Sequence, residues 1–290
     1  EFGVREANEA LASKMELSLG EHVIRMRRLR LADDVPMMVE STYLPAQLFM
    51  GLTREAVEAT PLYDLIEQEY GQRIGLELDP DGGFAACAKA YGATLALGHT
   101  NATAEEARAA LSHGADCFTH LYNAMPPLHH REGGAVCVAL TTDAWTELIA
   151  DGMHICADMV RLTYQIKGRE RLILITDSME ATGCADGEYA IAGEKVIVRS
   201  GRAETLSGAL AGSTLNLWQG VKNLMRMTGA PLEDAVRCAT VNPATAVGIF
   251  DRVGSIDAGK RADLLLVDDA LEIRGVYAAG EAVPMTRSAK

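Results

Sequence analysis

Four short apolar runs in the middle of the chain are each followed by a side chain that can bind a metal or carry a proton. The runs cover residues 93–97, 115–119, 147–152 and 171–176, and the polar residues after them are His99, His120, His154 and Asp177. A helical sequence lies between the first two runs; it begins at the capping box of Thr103 and Glu106 and ends at Gly114. Strands that alternate with helices form parallel α/β sheets, whose carboxyl-terminal edge is where ligands bind. The pattern therefore predicts that the four polar side chains share one edge of a sheet.

Two of these side chains, His99 and His120, can share one metal ion, because neutral imidazoles bind zinc or iron. A carboxylate at the same edge, here that of Asp177, can act as a base in metal-assisted hydrolysis. A lone histidine after a strand is more often a structural residue, but four successive polar endings are hard to explain by packing. The sequence therefore favours a metal-dependent hydrolase over a purely structural arrangement.

The composition and net charge of the chain exclude several classes of protein. At 48% hydrophobic and 23% charged residues, the 290-residue chain reads as an ordinary globular protein with a full core. Its formal charge of −13 argues against a broad surface for nucleic acid or an anionic membrane. Its six cysteines show no C-x-x-C spacing, which indicates free thiols in a reducing compartment. No signal peptide or long apolar run occurs, so we expect a cytoplasmic protein.

The first 75 residues follow a different pattern, with β-like runs at 22–32 and 35–43 and a helical run at 61–70. On the first of these strands Arg28 and Arg30 share a face, because side chains alternate along a strand. Their spacing suits a phosphate clamp made of planar, multi-donor guanidinium groups. The alternative is that both arginines line a solvated face of the sheet.

The segment from Arg28 to Pro45, RLRLADDVPMMVESTYLP, together with PLYDLIEQEYG further on, resembles the UTRA effector-binding domain of GntR/HutC-type transcriptional regulators. The resemblance covers the first half of that domain and implies an α+β fold over residues 1–75. It also implies an aminosugar-phosphate effector, held by Arg28, Arg30, Glu40 and Tyr63. The winged-helix module of such regulators is not in the sequence, so direct binding to nucleic acid is not expected.

Five motifs occur in order between residues 84 and 283: GHTNAT, THLYNAMPPLHHRE, IADGMH, ITDSMEATG and LAGSTL. In order and spacing they resemble those of the N-acetylglucosamine-6-phosphate deacetylase family of amidohydrolases. The resemblance implies an α/β fold, the C-terminal half of a (β/α)8 barrel over 84–250, with a β-hairpin insertion at 188–202. Residues 251–290 would supply strands of a small β-sandwich and a tail, and residues 76–83 the seam between the two halves.

The same resemblance implies a role for each site residue. His99 and His120 would bind a divalent metal, zinc or iron. Asp177 would be the general base and then the acid that protonates the leaving amine, and His154 would contact the substrate near the scissile acetamide. The residues that would grip the sugar phosphate or face the substrate are Asn123, Ala124, Arg131, Leu210, Ala211 and Gly212. The reaction would release acetate and glucosamine 6-phosphate; the alternative from another class is a metal-free aminosugar-phosphate sensor domain of a regulator.

The chain also departs from this family. The family's third metal ligand is a glutamate in a Leu-Glu-Gly-Pro segment, and no such segment occurs here. Only four barrel strands can be placed, so we expect a half barrel with open edges, weak metal affinity and little or no deacetylase activity. Unpaired strands seek partners, which predicts a homo-oligomer. Two partial domains in one chain suggest that fragments of two neighbouring coding regions have been joined.

Overall fold

The computed structural model describes residues 1–15, 17–32, 35–60, 62, 65–66, 94–191 and 194–285. The chain forms two compact units, residues 1–77 and 78–290, and each is described by itself. Several features predicted above lie outside the described residues: the helical run at 61–70 except Leu62, Leu65 and Ile66, the seam at 76–83, Tyr63, and the side chains of Arg28, Arg30 and Glu40. No helix in the described ranges is long and apolar enough to span a membrane.

The first unit is built on a three-stranded antiparallel sheet. Strand β1 (Phe2–Glu6) pairs with β2 (His22–Ala32), which pairs with β3 (Val35–Pro45). Both predicted strands are therefore confirmed, and the second runs two residues further than expected. Two short helices, α1 (Glu9–Lys14) and α2 (Arg54–Ala59), accompany the sheet. The buried core of this unit contains Ile24, Met26, Phe49, Leu52 and Ile66.

The second unit is organised around a parallel sheet of four strands in chain order. These strands are β4 (Ala96–Leu97), β5 (Cys117–Phe118), β6 (Trp145–Ile149) and β7 (Leu172–Ile175). They are the four apolar runs of the sequence, each shorter than the run that predicted it. The sheet does not close into a barrel within the described residues, which agrees with the predicted partial barrel.

Helices connect the parallel strands: α3 (Ala104–Ser112), α4 (Gly134–Thr141) and α5 (Ala157–Arg171). The predicted capping box is present, because the Thr103 Oγ1 accepts the Glu106 N–H at 3.3 Å and the Glu106 carboxylate accepts the Thr103 N–H at 2.7 Å. Gly168 has a non-helical backbone, with φ of 60°, inside α5.

One face of the parallel sheet is covered by helices. Leu148, Leu172 and Leu174 pack against Val160 of α5 and against α6 (Leu217–Thr228) and α7 (Leu232–Ala239), and Phe118 packs with α3 and α4 in a second cluster. The side chain of Asn242 in α8 (Val241–Ala246) donates to the Leu172 carbonyl at 2.6 Å. Because side chains alternate along a strand, Glu147, which directly precedes Leu148, belongs to the opposite face.

Two small antiparallel sheets complete the second unit. The first contains β8 (Gly187–Ile191), β9 (Glu194–Arg199) and β10 (Arg202–Thr205), so the predicted hairpin has a third strand. The second contains β11 (Leu264–Val267), β12 (Ile273–Ala278) and β13 (Glu281–Ala282).

The amphipathic sequence from Ser213 to Met227 predicts a helix, but the helix in the structure starts later than Ser213. Helix α6 begins only at Leu217, because the Asn216 side chain caps it by accepting the Gln219 N–H at 2.8 Å. Ser213 instead forms a parallel bridge with Ser178, just beyond strand β7.

A buried lysine joins helix α5 to the end of α4. Lys167 is 6% exposed, and its ammonium group donates to three backbone carbonyls, those of Ala139 at 2.8 Å and of Thr142 and Ala144 at 2.7 Å. Burial lowers the pKa of Lys167 to about 8, so the side chain is still charged at neutral pH. Its three N–H donors match the three carbonyls, two of which follow the helix end and lack partners within it.

Replacement of this lysine, Lys167→Met, is expected to lower the free energy of unfolding by about 1–3 kcal/mol, because buried carbonyls lose their donor. The matched control is Lys195→Met, at an exposed ion pair with Glu188, where the change should stay within about 0.5 kcal/mol. Both tryptophans, Trp145 and Trp218, lie in the second unit, so urea unfolding followed by their fluorescence reports on this unit. Equal midpoints for the two variants would contradict the assignment.

Candidate functional site

Three of the predicted site residues share an unusual backbone conformation at equivalent places in the sheet. His99, His120 and Asp177 each lie two residues beyond the end of a parallel strand, with φ values of 46°, 29° and 50°. Residues other than glycine seldom adopt positive φ, and holding one there costs about 1–3 kcal/mol. Such strain persists only where the surrounding structure imposes it, and it concentrates at functional sites.

The two histidines are in contact. The ring centroids of His99 and His120 lie 4.7 Å apart with the planes at 65°. His99 is exposed, whereas His120 is 6% exposed and its Nδ1 is buried without a hydrogen bond to the described residues. A buried nitrogen without a partner is costly, and a metal ion would satisfy it. The pair thus fits a metal that accepts imidazole, although the described ranges hold no group of three or more potential ligand side chains.

A carboxylate that the sequence patterns did not indicate, that of Glu147, lies on β6, the strand between those that lead to His120 and Asp177. Burial raises the pKa of Glu147 most, and the charge of Asp177 adds to that rise. Interactions with His120 and with Cys117 lower this pKa and oppose the rise without cancelling it. The available signal was an acidic residue within a run that otherwise reads as a buried parallel strand.

Asp177 is held by the segment that follows strand β10. The Ser213 N–H donates to the Asp177 carbonyl at 2.7 Å, and the Ser213 hydroxyl donates to the Thr176 carbonyl. Gly212 has φ of 66°, and a Cβ there would lie 3.2 Å from the Asp177 carbonyl oxygen, so glycine is required. The predicted substrate-facing loop, residues 210–212, therefore ends directly against Asp177.

His154 is bonded to a second residue that sequence reasoning missed. Its Nδ1 lies 2.7 Å from Oδ2 of Asp151, three residues earlier, and both side chains are almost fully buried. Burial alone would raise the pKa of Asp151, but its hydrogen bonds outweigh burial and leave that pKa below its usual value. The signal available in the sequence was the Asp-Gly turn directly after the strand.

The predicted phosphate-binding residues lie on the loop after strand β5. The Asn123 amide donates to the carbonyls of His120 at 3.2 Å and Leu121 at 3.3 Å, which ties this loop to the histidine pair. Ala124 is exposed with φ of 51°. Arg131 is also exposed, and its guanidinium contacts Nε2 of His130 at 2.7 Å. The structure therefore brings Asn123 to the sheet edge but records no contact of Arg131 with that edge in the described ranges.

Comparison with known proteins gives two family matches. A model of the amidohydrolase family matches residues 84–283, and a model of the UTRA domain matches residues 1–76. The N-acetylgalactosamine-6-phosphate deacetylase of Escherichia coli O157:H7 is 37% identical over 240 residues, which is 82% of this chain and 63% of that protein. The N-acetylglucosamine-6-phosphate deacetylase of Bacillus subtilis strain 168 is 43% identical over 178 residues, 61% of this chain and 45% of that protein.

A solved structure gives the same result. A variant of N-acetyl-D-glucosamine-6-phosphate deacetylase from Mycobacterium smegmatis, in complex with N-acetyl-D-glucosamine-6-phosphate, superposes with a TM-score of 0.68 at 37% identity. The match covers 72% of this chain and 56% of that one. The chain thus spans about half to two thirds of the length of the proteins it is compared with.

Proposed function

Because the chain belongs to the amidohydrolase family over residues 84–283, we propose that its second unit is a metal-dependent amide hydrolase. Its substrate would be an N-acetylated aminosugar 6-phosphate, with N-acetylglucosamine 6-phosphate as the first candidate. The products would be glucosamine 6-phosphate and acetate. The observation that carries this proposal is the contact of His99 with His120 at the sheet edge where Asp177 also lies.

The family implies a divalent metal, and His99 and His120 are the described residues that would hold it. Zinc or iron suits these ligands, because both metals accept imidazole nitrogen. When bound, the metal would polarise the amide carbonyl and make water at the site more acidic. Two histidines hold a metal less firmly than a full set of ligands, which supports the expected weak affinity.

The proton transfers belong to Asp177. Its carboxylate is exposed at the strand end, so it can accept a proton from the attacking water. An amide releases its amine only after the nitrogen is protonated, and the same carboxyl group can then return the proton. The hydrogen bonds from Ser213 fix the backbone at this point and so hold the base in place.

Recognition of the substrate would come from the loops around this edge. Arg131 carries a permanent charge and a fork of donors suited to a phosphate group, with Asn123 and Ala124 on the same loop. His154 would lie near the scissile acetamide, and Leu210, Ala211 and Gly212 would face the sugar beside Asp177. The expected homo-oligomer and cytoplasmic location stay predictions.

The variant Asp177→Asn should lower the rate of acetate release by at least about 100-fold, because an amide cannot accept the proton of water. Acetate is measured with N-acetylglucosamine 6-phosphate and, separately, its galactosamine epimer, with added zinc to fill a weak site. Asp251→Asn, at an exposed position outside the site, is the matched control. Zinc content should be the same in both variants. Turnover of Asp177→Asn within tenfold of the parent would exclude this aspartate as the base.

The UTRA match supports a second candidate, a metal-free sensor of aminosugar phosphates in the first unit. Calorimetric binding of glucosamine 6-phosphate to the full chain separates the two. For a sensor, binding should survive His99→Ala plus His120→Ala but disappear with Arg28→Ala plus Arg30→Ala. Arg27→Ala is the control, because alternation puts this arginine on the opposite face of the strand. Binding that is lost only with the histidines would contradict the sensor.

A further inference from the structure

The turn after strand β6 carries a buried ion-pairing couple that the proposed reaction does not use. Asp151 and His154 form this couple, and their side chains are 2% and 7% exposed. Burying a carboxylate this far from water costs free energy unless hydrogen bonds replace its hydration. Asp151 lies next to His154, which is expected to touch the substrate, and this position indicates a role beyond that of a surface ion pair.

Both oxygens of the Asp151 carboxylate are occupied. Oδ1 accepts the backbone N–H groups of Met153 and His154, each at 2.8 Å. Oδ2 lies 2.7 Å from the His154 Nδ1, and an ionised carboxylate can only accept a hydrogen bond there. Three donors at these distances favour the ionised carboxylate, and they lower the pKa of Asp151 despite its burial.

The turn itself is fixed by the helix packed behind it. The buried Asn223 of α6 donates its side-chain amide to the Ala150 carbonyl at 2.8 Å, immediately before the turn. Gly152 adopts φ of 80°, and a Cβ there would lie 3.2 Å from the Met227 side chain. The couple therefore stands on a backbone with little freedom to rearrange.

We infer that Asp151 is a positioning residue for His154: it holds the ring proton on Nδ1 and fixes the ring, so that Nε2 is the nitrogen offered to the substrate. The hydrogen bond made by one ring nitrogen sets the state of the other. Within the described residues, Nε2 of His154 makes no hydrogen bond, which leaves it available. The part of this inference that concerns the substrate rests on the proposed function, whereas the position of the proton does not.

The competing account gives Asp151 a role in the turn alone, through its bonds to the two backbone N–H groups. Asp151→Asn separates the accounts, because the amide oxygen can keep both backbone bonds. The amide nitrogen takes the place of Oδ2, however, and it cannot accept the proton of Nδ1. The neutral ring of His154 should then carry its proton on Nε2.

The first test is nuclear magnetic resonance of the whole chain with ¹⁵N-labelled histidine, in which the signals missing from His154→Gln identify this residue. The wild-type spectrum should show Nδ1 of His154 protonated, and Asp151→Asn should remove that proton. An unprotonated Nδ1 in the wild type, or a protonated one in Asp151→Asn, would overturn the inference. If Asp151→Asn does not fold, the wild-type spectrum alone decides, and no activity is needed for either result.

The second test is a double-mutant cycle on kcat/KM for acetate release. Asp151→Asn should lower kcat/KM about 10- to 100-fold, the range for loss of an outer-shell partner. In the His154→Gln background the same change should cost nothing further, because Asp151 acts through this histidine. An equal loss in both backgrounds would show a role in the turn alone. A wild-type chain without activity would contradict the proposed function, but the resonance experiment would still test the role of Asp151.

Discussion

Parallel pairing of strands β4 to β7 is the constraint on which the candidate site depends. The register pairs Leu97 with Phe118 and Ile149 with Ile175, so the strands end at one edge. Residues as distant in the sequence as His99 and Asp177 reach the same edge only through this pairing. The helices behind the sheet keep it in place, and Lys167 joins two of them by donating to three backbone carbonyls in and after α4.

Strain at the site is balanced by hydrogen bonds to the strained residues themselves. The carbonyl of His120 accepts the backbone N–H of Asn123 at 3.1 Å and its side-chain amide at 3.2 Å. The carbonyl of Asp177 accepts the N–H of Ser213. Hydrogen bonds thus hold two strained backbone positions, which leaves their side chains free for chemistry. The same logic applies to His154, whose ring rather than backbone is held by a neighbour.

Sequence patterns predicted those parts of the fold that depend on interactions between residues close together in the sequence. Apolar runs gave the four parallel strands, and the capping box at Thr103 gave the start of a helix, because both depend on residues close in sequence. Glu147 and Ser213 were not predicted as site residues, because their roles depend on partners that only folding brings near them. Asp151 acts on a residue only three positions away, and its Asp-Gly turn was a readable signal. Residues 210–212 were predicted from resemblance, and their place beside Asp177 required the structure.

The central claim, that these strand ends form one metal site, is tested most directly by anomalous diffraction at the zinc edge from crystals of the chain grown with zinc. The account predicts a single peak about 2.0–2.1 Å from one ring nitrogen of His99 and one of His120, the normal zinc–nitrogen distance. A peak at the exposed pair His129 and His130 instead, whose ring centroids lie 4.3 Å apart, or no peak near the sheet edge, would contradict it.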